Sequence, residues 1–177
     1  MIFPSVTQVM QPWADFSKIP ERVLAVAQDR GTRTHDACFA YARGGVPLSI
    51  GEDIQGRVDS FLKWFETQVS EVLYCEERLV HPAFAYHGEP DLIVRLVDGK
   101  IALVDIKTPA MALKTWQIQD AGYRLLCEKN KIKIDLAGSL RLDPDGGTPK
   151  MTWYSDTAGD LVAFLKMLDI YRYLKGA

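Results

Sequence analysis

An aspartate and a lysine in the middle of the chain have the spacing of a hydrolytic site. Asp105 and Lys107 lie two residues apart in an apolar run, so on a strand their side chains project from the same face. A carboxylate and an ammonium buried in such a run cost free energy unless they pair or bind a ligand. Taken alone, this Asp-x-Lys pattern is also typical of an ordinary ion pair at a strand end.

A second carboxylate on the preceding β-rich run, Asp91, favours a bound cation. Two carboxylates that converge repel each other, and a hard divalent ion such as Mg²⁺ or Mn²⁺ relieves that repulsion. Such an ion polarises a phosphoryl oxygen and lowers the pKa of a water, while a neighbouring lysine stabilises negative charge. The three side chains together would suit the hydrolysis of a phosphodiester.

The loop between the two β-rich runs decides whether Asp91 shares a face with the Asp-x-Lys pair. Residues 86–97 and 101–107 flank the turn signal Asp98-Gly99, which predicts a β-hairpin. A strict two-residue turn would place Asp91 on the opposite face. A three-residue loop over 98–100, with Gly99 at positive φ, would place all three side chains together. We therefore expect a loop of odd length or a bulge.

A helix predicted over 114–129 adds polar side chains near this hairpin. Gln119 and Tyr123 are four residues apart and share one helical face, and Trp116 precedes Gln119 by three. An ordinary helix with a polar shoulder would show the same pattern. Beside a metal site, the amide and the phenol could instead hold a phosphate backbone and orient the lysine.

The elements that must position these residues change in character near Cys75. The first part, 1–74, reads as mostly helical: a short helix capped by Ser5, a helix from Pro20 that Gly31 interrupts or ends, its continuation over 34–43, and a long amphipathic helix over 53–74. The second part, 75–177, reads as a strand over 76–81, the hairpin over 86–107, the helix over 114–129, a hairpin over 132–154, and a last helix capped by Asp156 or Thr157. The β-rich runs are apolar on both faces, which predicts a covered sheet in one α/β domain spanning 1–177.

Composition narrows the classes of protein that the chain can represent. The net charge is −2 and the three cysteines are scattered, which argues against a broadly basic nucleic-acid binder and a disulfide framework. The N-terminus shows no signal peptide, and no apolar run in the sequence approaches the ~20 residues of a membrane span. The sequence therefore predicts a cytoplasmic protein with no membrane association, and any nucleic-acid surface must be local.

Several motifs in the same order resemble those of the PD-(D/E)XK nuclease superfamily, in its branch of RecB-like and phage exonucleases. They are Arg30-Gly31-Thr32-x-x-His35, Glu76 or Glu77, Gly88-x-Pro90-Asp91, Asp105-Ile106-Lys107-Thr108 and Gln119-x-x-x-Tyr123. The resemblance implies a restriction-endonuclease-like core, with a central mixed five-stranded sheet flanked by helices and a helical N-terminal segment.

The resemblance also implies a role for each matching residue. Asp91, Asp105, the carbonyl of Ile106 and His35 would hold Mg²⁺ or Mn²⁺, and Lys107 would be the catalytic lysine. Gln119 and Tyr123 would contact DNA phosphate and support Lys107, and Glu76 is preferred over Glu77 as the further acidic residue. Only Cys127 follows the Gln-x-x-x-Tyr motif, so no iron–sulfur cluster is expected.

The function implied is that of a metal-dependent DNA exonuclease, related to phage, prophage, recombination or repair processes. The alternatives are a structure-selective or sequence-specific endonuclease, and a non-enzymatic protein that binds DNA ends. The expected partner is linear DNA, with homo-oligomerisation left open.

Cations that could rim a DNA groove, or simply form a solvated face, are Arg33, Arg43, Lys114, Arg124, Lys129, Lys131 and Lys133. Trp116 could stack on a base or pack against its helix, and His81 and His87 are expected at the surface or a strand edge.

Overall fold

A computed structural model describes residues 3–14, 17–47, 49–109, 111–155 and 157–176. The helices are α1 (Val6–Met10), α2 (Glu21–Ala42), α3 (Glu52–Gln68), α4 (Thr115–Lys129) and α5 (Thr157–Lys175), with a 3-10 turn at Gln11–Trp13. The strands are β1 (Val69–Cys75), β2 (Leu79–His81), β3 (Tyr86–Gly88), β4 (Leu92–Leu96), β5 (Ile101–Lys107), β6 (Leu136–Arg141) and β7 (Lys150–Trp153).

Five of these strands form one mixed sheet in the order β1-β4-β5-β6-β7. Neighbours run antiparallel except β5 and β6, which are parallel because helix α4 carries the chain back between them. Strands β2 and β3 pair separately as a small antiparallel sheet. The predicted α/β fold, with a mixed five-stranded sheet flanked by helices and a helical N-terminal segment, is confirmed.

Helices cover both faces of the sheet, as the two-sided apolar runs predicted. One face packs Ile93 and Leu103 against α4 and α5, where Phe164 is fully buried. The other face packs Val104 against α2 and α3, where Phe61 is fully buried. Helices therefore approach the C-terminal end of the central strand β5 from both faces of the sheet. This allows α2 and α4 to contribute to one site.

Two expectations for the N-terminal part are wrong. Gly31 does not interrupt its helix, since α2 runs unbroken for 22 residues; a Cβ at Gly31 would lie 3.4 Å from Thr108 Oγ1, so the helix crosses close to the end of β5. The long helix over 53–74 ends at Gln68, and residues 69–75 form β1. Pairing of β1 with β4 outweighs the helical spacing of its apolar residues.

The predicted strands also needed correction in detail. Only Leu79–His81 of the run 76–81 is a strand, and the run 86–97 divides at Glu89–Asp91 into β3 and β4. Strand β6 begins at Leu136 instead of residue 132. Thr157 is the first residue of helix α5 and so not its cap, and the other expected cap, Asp156, lies outside the described residues.

Candidate functional site

The β4–β5 hairpin brings the two aspartates to the same face of the sheet. Leu92 pairs with Val104 and Arg95 with Ile101, and the Leu96 N–H donates to the Lys100 carbonyl at 2.8 Å. The loop therefore has three residues, 97–99, with Gly99 at a φ of +86°. The expectation of an odd-length loop is confirmed, but one residue earlier than 98–100, so the register continues to Asp91 opposite Asp105 instead of Lys107.

Asp91 lies at the start of β4 between an imidazole and a backbone amide. Its Oδ2 accepts a hydrogen bond from the Ile106 N–H at 2.7 Å and is 3.8 Å from His35 Nδ1. Burial raises the pKa of Asp91 to about 6, and the Asp105 carboxylate adds to the rise while His35 and Lys107 oppose it. The edge-on packing of His35 against Phe39, one turn along α2, fixes the direction of the imidazole.

Lys107 is held by groups from the sheet and from α4. Its Nζ pairs with Asp105 Oδ2 and donates to Gln119 Oε1 at 2.9 Å. The same Nζ lies 5.4 Å from the centre of the Trp116 ring, a distance at which the ring face attracts a cation. The ammonium is thus fixed beside Asp105 by three contacts on a strand that is itself in the middle of the sheet.

The Gln119–Tyr123 pair forms the wall of α4 behind this lysine. Gln119 Nε2 lies 3.4 Å from the Tyr123 hydroxyl, to which it donates a long hydrogen bond. Burial, reinforced by the charges of Asp105 and Asp91, raises the pKa of Tyr123. The phenol therefore stays protonated and can donate a hydrogen bond to an anion. The predicted i, i+4 pairing of these two side chains is confirmed.

These side chains open into one cleft of about 640 Å³. Helix α1 forms its opposite wall, fixed by a bridge between Ser5 and His87 and by the His87 N–H, which donates to the Pro4 carbonyl at 3.0 Å. The lining also includes residues to which the sequence analysis assigned no role in the site: Ser5, Thr7, Gln8, Arg78, His87 and Glu89. Those on α1 are far from Asp91 in the sequence and belong to none of the motifs, so only the fold could place them here.

Two histidines outside the motifs, His81 and His87, lie in the small sheet formed by β2 and β3. His87 lines the cleft, and its Nδ1 is buried without a hydrogen-bond partner among the described residues. His81 is buried and stacks on Tyr86, with its Nδ1 accepting from the Phe84 N–H at 3.1 Å. Burial lowers the pKa of both side chains. Both lie in the two-stranded sheet of β2 and β3, so the expected strand-edge position holds for both, whereas the alternative of a surface position is wrong for His81.

Of the two adjacent glutamates, Glu76 lines the cleft. It follows β1 at a φ of +54°, so the chain turns there and the two side chains do not simply alternate as on a strand. Arg43 Nη2 donates to Glu76 Oε2 at 2.9 Å, and the Glu76 N–H lies 3.2 Å from the carbonyls of Pro90 and Asp91. These contacts tie α2 and β1 to the start of β4.

A polar group missed by the sequence reasoning lies behind the site. Asp120 on α4 is buried, and Arg124 Nε approaches its Oδ2 at 3.4 Å. Its Oδ1 has no hydrogen-bond partner within the described ranges. Burial raises the pKa of Asp120 to about 7, with Arg124 opposing the rise and Asp105 adding to it. The carboxyl is thus easily protonated near neutral pH.

The residues expected at a DNA rim lie in different parts of the structure. Lys114 is exposed at the start of α4, and Trp116 is packed against Lys107. Arg33 holds Asp53 through two hydrogen bonds of 3.0 and 2.7 Å and ties α2 to α3. The Asp135 N–H donates to the Ile101 carbonyl, which places 131–133 beside the other end of β5, about 20 Å from Lys107.

The cleft contains both oxygen and nitrogen donors for a metal ion. Two carboxylates, Asp91 and Asp105, and the His35 imidazole all line the cleft, and carboxylate oxygens suit a hard divalent ion. No three His, Cys, Asp or Glu side chains form a ready-made metal cluster in the part of the chain that the structure describes. Asp105 is engaged by Lys107, and Asp91 by the Ile106 N–H. The donor types fit such an ion, and these two contacts are the ones that would have to adjust.

Comparisons with known proteins support the fold. The crystal structure of a "putative exonuclease" from Eubacterium rectale superposes with a TM-score of 0.54 over 83% of this chain and 68% of that one, at 11% sequence identity. No protein-family profile and no curated protein sequence matches the chain. No helix within the described ranges is long and apolar enough to cross a membrane. The chain shares its fold with the E. rectale protein.

Proposed function

We propose that the chain is a metal-dependent deoxyribonuclease that acts on DNA ends as an exonuclease. The observation that carries this proposal is the convergence of Asp91, Asp105 and Lys107 in one cleft, with His35 beside them. The fold shared with the "putative exonuclease" of E. rectale supports it. A role in phage-related recombination or repair belongs to the same proposal, as does linear DNA as the partner.

The residues of the cleft have distinct tasks in this proposal. Asp91, Asp105, His35 and the Ile106 carbonyl would hold Mg²⁺ or Mn²⁺, which supplies Lewis-acid polarisation of a phosphoryl oxygen and a more acidic water. Lys107, fixed by Asp105 and Gln119, places positive charge where negative charge develops on the phosphate. The protonated Tyr123 hydroxyl and Gln119 orient that lysine and donate to phosphate oxygens.

Cleavage assays on two DNA substrates test this proposal. End-labelled linear DNA and closed circular DNA are incubated with Mg²⁺, with Mn²⁺ and with a chelator. Metal-dependent loss of linear DNA with intact circles is the expected result. Cutting of the circles would instead favour an endonuclease, and the absence of cutting with either metal would contradict nuclease activity.

Lys107→Ala is expected to lower the cleavage rate by at least about a hundredfold, because it removes a charge aimed at the reacting phosphate. DNA binding in chelator, measured by fluorescence anisotropy, should change far less than the rate. Lys100→Ala is the matched control, since Lys100 lies in the loop region at the other end of β5 and pairs only with Asp98 among the described residues. Wild-type cleavage by Lys107→Ala would remove the lysine from the mechanism.

A further inference from the structure

A row of cations crosses the sheet from the site to its edge. Lys107 on β5 is in register with Arg141 on β6, and Arg141 is in register with Lys150 on β7. Residues in register on adjacent strands project from the same face, so the three side chains form one row. Two strand spacings separate its ends, about 10 Å. We call Lys107, Arg141 and Lys150 the cationic row.

The outer part of the cationic row borders a second hollow, of about 270 Å³. Its cationic side chains are Lys114, Arg141 and Lys150, and Leu113, Trp116 and Tyr154 contribute apolar and aromatic surface. No carboxylate is among the described residues that line it. In a chain with a net charge of −2, three cations around one hollow mark a local site for an anion with an apolar part. We call it the side hollow.

The side hollow is next to the cleft and shares a wall with it. Trp116 lines the side hollow, and its ring lies 5.4 Å from the Lys107 Nζ that lines the cleft. Ser139 at the base of the side hollow is in register with Asp105. A ligand that fills both spaces would therefore pass Trp116 and follow the cationic row.

We propose that the side hollow binds the nucleotide adjacent to the cleaved bond in a single polynucleotide strand. The proposal rests on the proposed nuclease function and adds the path of the substrate. Arg141, Lys150 and Lys114 contact phosphates, and the base and sugar lie against Trp116 and Leu113. Cations beside aromatic surface are the general means of binding single strands. The volume of the side hollow, about 270 Å³, is close to the lower end of the range for ligand sites, about 300 Å³. It therefore has room for roughly one nucleotide and not for a base pair.

Binding of a single-stranded oligonucleotide labelled with fluorescein tests this path, measured by anisotropy with chelator present so that nothing is cut. Lys150→Glu is expected to raise the Kd about tenfold, because it replaces a phosphate contact with repulsion. Lys133→Glu is the matched control: it makes the same charge change on an exposed lysine at the other end of the sheet, and its Kd should stay within about twofold. A blunt duplex of the same length should compete less well than unlabelled single strand.

Three results would overturn the inference. Wild-type affinity of Lys150→Glu would show that Lys150 does not contact the strand. Its charge would then serve only to keep the edge strand β7 from pairing with another chain. An equal loss in Lys133→Glu would show that only net charge matters. Equal competition by duplex would exclude the single-strand path. If the wild type cuts DNA while Lys150→Glu binds normally, only the side hollow fails; if the wild type neither binds nor cuts DNA, the proposed function fails with it.

Discussion

At the scale of single residues, the buried carboxyl of Asp120 makes the stability of the protein depend on pH. The carboxyl is buried on α4, and its pKa of about 7 reflects burial first, then the opposing effect of Arg124 and the added effect of Asp105. An unfolded aspartate has a pKa of about 3.9. The folded protein therefore holds a proton that the unfolded chain releases between about pH 4 and pH 7. Stability falls as the pH rises through that window.

Asp120→Asn is expected to raise the free energy of unfolding, because the amide cannot ionise. Above pH 7 the wild type bears the whole penalty, so the gain should be larger at pH 8 than at pH 5, by about 2 kcal/mol. Urea unfolding of both proteins at the two pH values measures the difference. A gain that is the same at both values would contradict the ionisation of Asp120 as its cause.

Residue spacing predicted the members of the cleft better than it predicted their environment. Asp105 and Lys107 share a face by strand periodicity, and Gln119 and Tyr123 by helical periodicity, so local rules were sufficient. His87 comes from the separate β2–β3 sheet, and its place opposite α1 depends on tertiary packing. Local spacing contains no information about that packing, nor about the burial of Asp120.

At the scale of elements, two helical glycines are expected to respond in opposite ways to alanine. Alanine in a helix interior is favoured over glycine by up to about 1 kcal/mol. At Gly31 the new Cβ would meet only Thr108 Oγ1 at 3.4 Å, whereas at Gly56 it would lie 2.0 Å from the Pro144 carbonyl oxygen. Gly56→Ala should lower the free energy of unfolding by about 2 kcal/mol, since overpacking outweighs propensity.

Gly31→Ala serves as the matched control for that substitution and should be neutral or stabilising by up to about 1 kcal/mol. Urea unfolding followed by circular dichroism compares the two variants. Similar stability of Gly56→Ala and the wild type would contradict close packing of α3 against the turn that follows β6.

The balance between local sequence signals and long-range pairing explains which elements the sequence could predict. The hairpin β4–β5 and helix α4 have strong local signals, and their existence was predicted correctly. Residues 69–75 follow α3 without a glycine or proline, and Val69 and Leu73 continue the helical spacing. Their conversion to β1 depends on partners in β4, such as Arg95, which pairs with Glu71. A pairing over more than twenty residues is invisible to a local pattern.

At the scale of the whole molecule, the net charge of −2 limits how nucleic acid can be held. Four cations, Lys107, Lys114, Arg141 and Lys150, surround the proposed strand path. Each phosphate neutralised on a single strand contributes about −0.7 to the slope of log K against log salt, so a slope of about −3 is expected. Anisotropy titrations at several salt concentrations in chelator measure it. A slope steeper than about −6 would mean that a wider surface takes part.

The three-residue loop 97–99 has a consequence for how this chain can vary among related genes. Exposed hairpin loops usually tolerate insertions and deletions. Here the loss or gain of one residue between β4 and β5 would shift the register by one and turn Asp91 to the other face. Length changes at this surface loop are therefore expected only in steps of two or with a compensating bulge.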